Sequence, residues 1–134
     1  MILVDTSAWL AFFRDAGGAA DAVDVALEEN RVAWCGPIAT ELRRGFASPR
    51  ERTKVLELLE ACHWLEQPEN LWQEAGDLGY ALRRKGLTVK TFDLLIATYA
   101  LSHGTELLTL DSDFGLMHSK GVPLQLVDAN TEAG

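Results

Sequence analysis

The chain has few covalent or soft-ligand resources: two cysteines and three histidines in 134 residues, and no extended apolar run. Cys35 and Cys62 stand alone and form no C-x-x-C pair, so buried thiols are expected and neither a disulfide framework nor a thiolate metal site. No stretch approaches the roughly 18 apolar residues of a membrane span, and no charged segment precedes the short apolar start. A cytosolic protein without a membrane role is therefore expected. Positive charge is also scarce, with 12 Lys and Arg against 20 Asp and Glu and a net charge of −8. Taken as a sum, this argues against the basic footprint usual for nucleic-acid binding. The distribution says otherwise, because Arg43, Arg44, Arg50, Arg52, Lys54, Arg83, Arg84, Lys85 and Lys90 all fall in the middle of the chain. They are either solvated helix faces or a basic rim beside an acidic pocket.

What the chain does have is apolar material, 48% of its residues, enough for one self-sufficient core over residues 1–134. The first nine residues set the pattern. Met1 to Val4 is an apolar run of the kind found in strands buried on both faces of a parallel sheet, and it stops at Asp5, Thr6 and Ser7. A carboxylate at the carboxyl end of a central strand lies where open α/β sheets bind ligands. The plainer alternative is that Asp5 only starts a helix.

The rest alternates helix and strand. Helices are expected over Ser7–Phe13 and Ala19–Glu29, separated by an Asp15–Gly18 turn, then a strand over Arg31–Cys35. Gly36-Pro37 opens a helix whose inner stripe is Ile38, Leu42 and Phe46, with Glu41 at its border. A carboxylate there needs a partner, and Arg43 or Arg44 would serve for an ion pair. A helix over Arg50–Cys62, an edge strand at His63–Leu65 and a long helix over Glu69–Lys85 follow. The next helix, capped by Thr91 and ended by Gly104, is apolar nearly all round apart from Asp93. A dipole-complementing acid explains its first-turn position but not its apolar surroundings. Strands over Glu106–Leu110 and Leu124–Val127 complete the order, the first ending on Asp111 and Asp113, and Asp128–Gly134 reads as a frayed tail.

Two strands thus end in acids and two helices carry a lone acid near an apolar face. Carboxylates about 5 Å apart repel by roughly 3 kcal/mol per pair at an effective dielectric of about 20. Protons or a hard divalent cation must offset this, and oxygen-only ligands favour Mg2+ or Mn2+.

These pieces together resemble the PIN-domain family, in particular its VapC-type toxins. The match lies in Val4-Asp5-Thr6-Ser7, Thr40-Glu41-Leu42 with Gly45, Asp93 with Ile96-Ala97 and Ala100, and Thr109-x-Asp111-x-Asp113-Phe114. The resemblance implies an α/β/α sandwich around a parallel sheet of order 3-2-1-4-5. It makes Asp5, Glu41 and Asp93 metal-binding acids, with Asp111 favoured as the fourth and Asp113 an outer ligand or helix cap. Thr6 or Ser7 resembles an orienting hydroxyl. The activity implied is endoribonuclease cleavage by hydroxide activated on Mg2+ or Mn2+, with Arg43, Arg44 or Lys90 holding RNA phosphates. Implied partners are RNA and a small VapB-like antitoxin. Trp9, Phe12, Phe13 and Tyr99 are either core or the face of a homodimer, which these apolar residues lead one to expect. His63, His103 and His118 are not needed for the chemistry.

Three other readings compete. A receiver-like signalling domain needs an acid closing the third strand and a late Lys, whereas Lys120 is followed directly by Gly121. A haloacid-dehalogenase-like phosphatase needs a second Asp where Ser7 stands. A catalytically inactive binding module would keep the acids without using them.

Overall fold

A computed structural model describes residues 1–15 and 17–128. Strand β1 (Ile2–Val4) is buried at every position, as a run without polar alternation requires in the middle of a parallel sheet. It lies between β2 (Val32–Trp34) and β4 (Glu106–Leu108), while β3 (His63–Trp64) and β5 (Gln125–Leu126) form the edges. The order is β3-β2-β1-β4-β5 and every pairing is parallel, with Leu3 opposite Ala33 on one side and Leu107 on the other.

The connections explain the layers. The crossovers from β1 to β3 step one way across the sheet, through α1 (Thr6–Phe13), α2 (Gly17–Glu28), α3 (Gly36–Gly45) and α4 (Pro49–Glu60). After β3 the direction reverses, through α5 (Leu71–Arg84), α6 (Thr91–His103) and α7 (Ser112–Ser119). Right-handed crossovers running in opposite directions cover opposite faces, and the result is an α/β/α sandwich with its switch point between β1 and β4.

Local chemistry sets most boundaries. Ser48 accepts the Glu51 N–H at 3.4 Å and Pro49 opens α4. Gly104, at φ 65°, ends α6 in the left-handed region. Helix α6 is buried continuously from Asp93 to Ala100, and α5 packs close against it. A Cβ at Gly79 would come within 2.7 Å of Leu94 Cδ1.

Several expected boundaries move. Gly17 and Gly18 belong to α2 and not to the preceding turn, while Ala16 lies outside the described residues. Helix α5 starts at Leu71, because Pro68 to Leu71 form a turn closed by the Leu71 N–H on the Pro68 carbonyl at 3.1 Å. Thr91 is the first helical residue of α6 and Lys90 holds the extended capping position, with no side-chain cap. Strand β4 stops at Leu108, which releases Thr109 and Leu110 for other bonds. From residue 129 on, the expected tail lies outside the described residues. Among the described residues, no helix is long and apolar enough to cross a membrane.

Candidate metal centre

Asp5 leaves β1 with its backbone N–H on the Leu108 carbonyl at 2.9 Å, so it is tied to β4 from the start. It occupies the N-cap position of α1, yet its side chain caps nothing. Instead Asp5 Oδ2 accepts two hydroxyl bonds, from Thr109 Oγ1 at 2.7 Å and Ser7 Oγ at 3.0 Å. The same hydroxyls accept backbone protons from β4's exit: Leu110 N–H on Ser7 Oγ at 2.9 Å and Asp111 N–H on Thr109 Oγ1 at 3.0 Å. The ends of two strands about 100 residues apart in sequence are thus laced together around one buried carboxylate. Burial raises the Asp5 pKa, the Thr109, Thr6 and Ser7 bonds oppose that, and the Asp111 charge adds to it.

Glu41 is half-buried on α3, beside the fully buried Ile38 and nearly buried Leu42. Its Oε1 accepts Thr6 Oγ1 at 3.0 Å. The expected ion pair with Arg43 or Arg44 is not formed. Ion pairs form elsewhere, between Arg31 and Glu29 and Glu106. Arg44 is close enough only to moderate a pKa that burial raises first and Asp5 raises further.

Asp93 enters from the first turn of α6, 8% exposed. Its pKa is pushed up to about 7, first by burial, then by the charges of Asp111 and Asp5, and by a carboxyl–carboxyl hydrogen bond with Asp113. Carboxylate oxygens of Asp93, Asp111 and Asp113 all lie within 4.8 Å of one another. Among the described residues, this is the cluster with metal-ligand spacing.

The sequence-predicted acids therefore share one strand-end neighbourhood but not one contact sphere. The tight trio is Asp93, Asp111 and Asp113, while Asp5 is drawn toward β4 by Thr109 and Ser7, and Glu41 toward α1 by Thr6. Asp113 does not cap α7. That bond is made by Asp111, whose Oδ1 accepts the Asp113 N–H at 2.9 Å. Of the two candidate hydroxyls, Thr6 bonds Glu41 and Ser7 bonds Asp5. Arg43, Arg44 and Lys90 are exposed, and the Arg43 carbonyl accepts Arg52 Nε at 2.9 Å. His63 and His103 bond the carbonyls of Asn30 and Glu66, away from the acids. Trp9 and Tyr99 are 0% and 3% exposed, so they are core residues and offer no homodimer face. Leu65 follows β3, so no acid closes the third strand as a receiver-like domain requires.

A family model for the PIN domain matches residues 2–118. The chain belongs to the PIN-domain family. Over 123 residues this PIN domain is 36% identical to VapC ribonuclease Mb1587 of Mycobacterium bovis and, equally, to Ribonuclease VapC11 of Mycobacterium tuberculosis; the alignment covers 87% of the chain and 91% of each relative. Among solved structures it is similar to VapBC-1 from nontypeable Haemophilus influenzae, with a TM-score of 0.73, 24% identity and coverage of 96% of this chain and 98% of that one. That likeness concerns the fold.

One functional position escaped sequence reasoning. Thr109 looked like the penultimate residue of a strand, but its hydroxyl bridges Asp5 and the Asp111 backbone. Its only signal was its place two residues before Asp111 in the Thr-x-Asp-x-Asp-Phe stretch.

Proposed function

We propose that this PIN domain is a metal-dependent endoribonuclease, the toxin of a type II toxin–antitoxin pair. The observation that carries the reading is the set of carboxylates at the β1/β4 switch point, oriented by hydroxyls and without an ion pair among the described residues. The donor set is all oxygen, which suits Mg2+ or Mn2+ and not a soft ion. Asp93, Asp111 and Asp113 would hold the ion, with Asp5 and Glu41 completing the acidic wall. A divalent ion bound there supplies Lewis-acid stabilisation of charge on the scissile phosphate and lowers the pKa of water.

The chain's own residues do the remaining work. Thr109 and Ser7 fix the Asp5 carboxylate by bonding Oδ2, and Thr6 fixes Glu41 in the same way. Near neutral pH, Asp93 can keep a proton that an incoming cation would displace. Arg43, Arg44 and Lys90 would hold RNA phosphates beside the acids, making binding strongly salt-dependent. The ribonuclease names of the curated relatives support the RNA substrate, and the VapBC neighbour supports a VapB-like antitoxin as partner. A homodimer, expected from the aromatic residues, would have to use surface other than Trp9 and Tyr99.

Asp93→Asn should lower Mg2+- or Mn2+-dependent RNA cleavage by at least about 100-fold while far-UV circular dichroism stays unchanged. A folded Asp93→Asn protein cutting at the parent rate, or parent cleavage indifferent to EDTA, would sink the proposal.

A further inference from the structure

The acidic site has an aromatic neighbour that the hydrolysis itself does not use. A cleft of about 200 Å3 lies between the start of α3, the β3–α5 loop, the start of α5 and α6, lined among others by Pro37, Thr40, Gln67, Trp72, Phe92 and Tyr99. Trp72 and Phe92 are 63% and 38% exposed, large apolar rings left facing water. Scattered surface hydrophobics need no explanation, but two rings lining one recess at a substrate site do. The recess is smaller than the ~300–1,000 Å3 that holds a whole drug-sized ligand, and suits a single planar ring system.

Its position selects the occupant. Phe92 directly precedes Asp93 and Thr40 directly precedes Glu41, so two of the lining residues are chain neighbours of the acids, which do not themselves line the cleft. Arg44 stands one turn beyond Thr40 on the same side of α3, and Lys90 two residues before Phe92, both exposed. Thr40 and Gln67 add polar atoms to an otherwise apolar lining. Cations for a phosphate backbone around a stacking surface are the combination that single-stranded nucleic acid requires.

We infer that the Trp72–Phe92 cleft stacks an unpaired nucleobase next to the cleaved phosphate, and so helps to choose where the RNA is cut. The inference rests on the ribonuclease reading above and names its substrate as single-stranded at that position. Stacking on an aromatic side chain is sequence-tolerant, so selection between bases would fall to Gln67 and Thr40 at the base edge.

The test uses the full chain and an RNA oligonucleotide spanning a mapped cut site. Trp72→Ala, at an exposed position, should lower kcat/KM by about 5- to 100-fold, mainly through KM, and Trp72→Tyr should recover most of it. One abasic nucleotide near the cut should cost the parent protein a similar factor, and Trp72→Ala should lose nothing further on that substrate. In parallel, a short oligoadenylate should quench the tryptophan fluorescence of the non-cutting Asp93→Asn chain in Mg2+, and Trp72→Phe should remove that quench. Parent-like cleavage by Trp72→Ala would overturn the cleft and leave the ribonuclease standing. So would a Trp72→Ala chain that light scattering shows as a monomer where the parent is a dimer. If the parent cuts no RNA, the ribonuclease reading fails; a Trp72-dependent quench would then still support base stacking, and its absence would overturn that too.

Discussion

The two ends of the β1–β4 pair treat their acids in opposite ways. At the amino end, Glu106 opens β4 and meets Arg31 at 2.9 Å, and the same guanidinium lies 3.6 Å from Glu29. At the carboxyl end, Asp5, Glu41, Asp93, Asp111 and Asp113 gather without such a cation, held by hydroxyls and a backbone N–H. Where only structure is at stake, the fold neutralises a carboxylate. Where it does not, the orientation of the lone pairs has been fixed and the charge left uncancelled, at a cost in stability that an incoming cation would relieve.

After loss of an acid itself, removing one lacing hydroxyl should give the largest departure. Thr109→Val keeps the shape but deletes the donor to Asp5 and the acceptor for the Asp111 N–H. Steady-state RNA cleavage should fall by about 10- to 100-fold, with weaker metal affinity in titrations, and Thr109→Ser should restore most of both. Chemical denaturation should show a loss of about 1–3 kcal/mol. If Thr109→Val kept parent cleavage and metal affinity, the carboxyl end would be no more than a turn.

The second expectation concerns the chain without metal. Asp93 has its pKa raised from the usual 3.8 to about 7, so the folded chain holds that proton more tightly than the unfolded one. Its contribution to stability is complete below about pH 4 and is lost as pH rises through about 7. Thermal unfolding in EDTA should therefore show a Tm falling across this window, with the fall smaller in Asp93→Asn. Adding Mg2+ at pH 7.5 should recover part of it for the parent. Equal pH slopes for the two proteins would mean that Asp93 bears no such burden.

The smallest effect is expected at the amino end. Arg31 and Glu106 are about two-fifths exposed, so Arg31→Met should cost at most about 1 kcal/mol in urea denaturation and leave cleavage unchanged. A loss of RNA cleavage in this variant would erase the distinction between the two ends.

Sequence periodicity went far because the informative segments are extreme. β1 and α6 lack polar alternation, so each acid in or beside them stood out, and Asp5 and Asp93 could be picked out as candidates before any coordinates. The sheet order came from the family resemblance, and the structure agrees with it. The division of labour between Asp111 and Asp113 was not legible, because acids two residues apart at a helix start suit capping and metal binding alike. Only geometry gives the cap to Asp111. Thr109 was hidden for a related reason. Its β-branched side chain continues a strand pattern, and nothing local reveals that β4 ends one residue earlier. The Glu41 ion pair was the wrong partner choice, since the hydroxyl that takes that role is 35 residues away in sequence.

The lacing between residues 5 and 109 also bears on the protein's synthesis. Asp5 leaves the ribosome about a hundred residues ahead of the threonine that bonds it and of two of the three clustered acids. No partial product can assemble the site, because the first strand must wait for the fourth to slide in beside it.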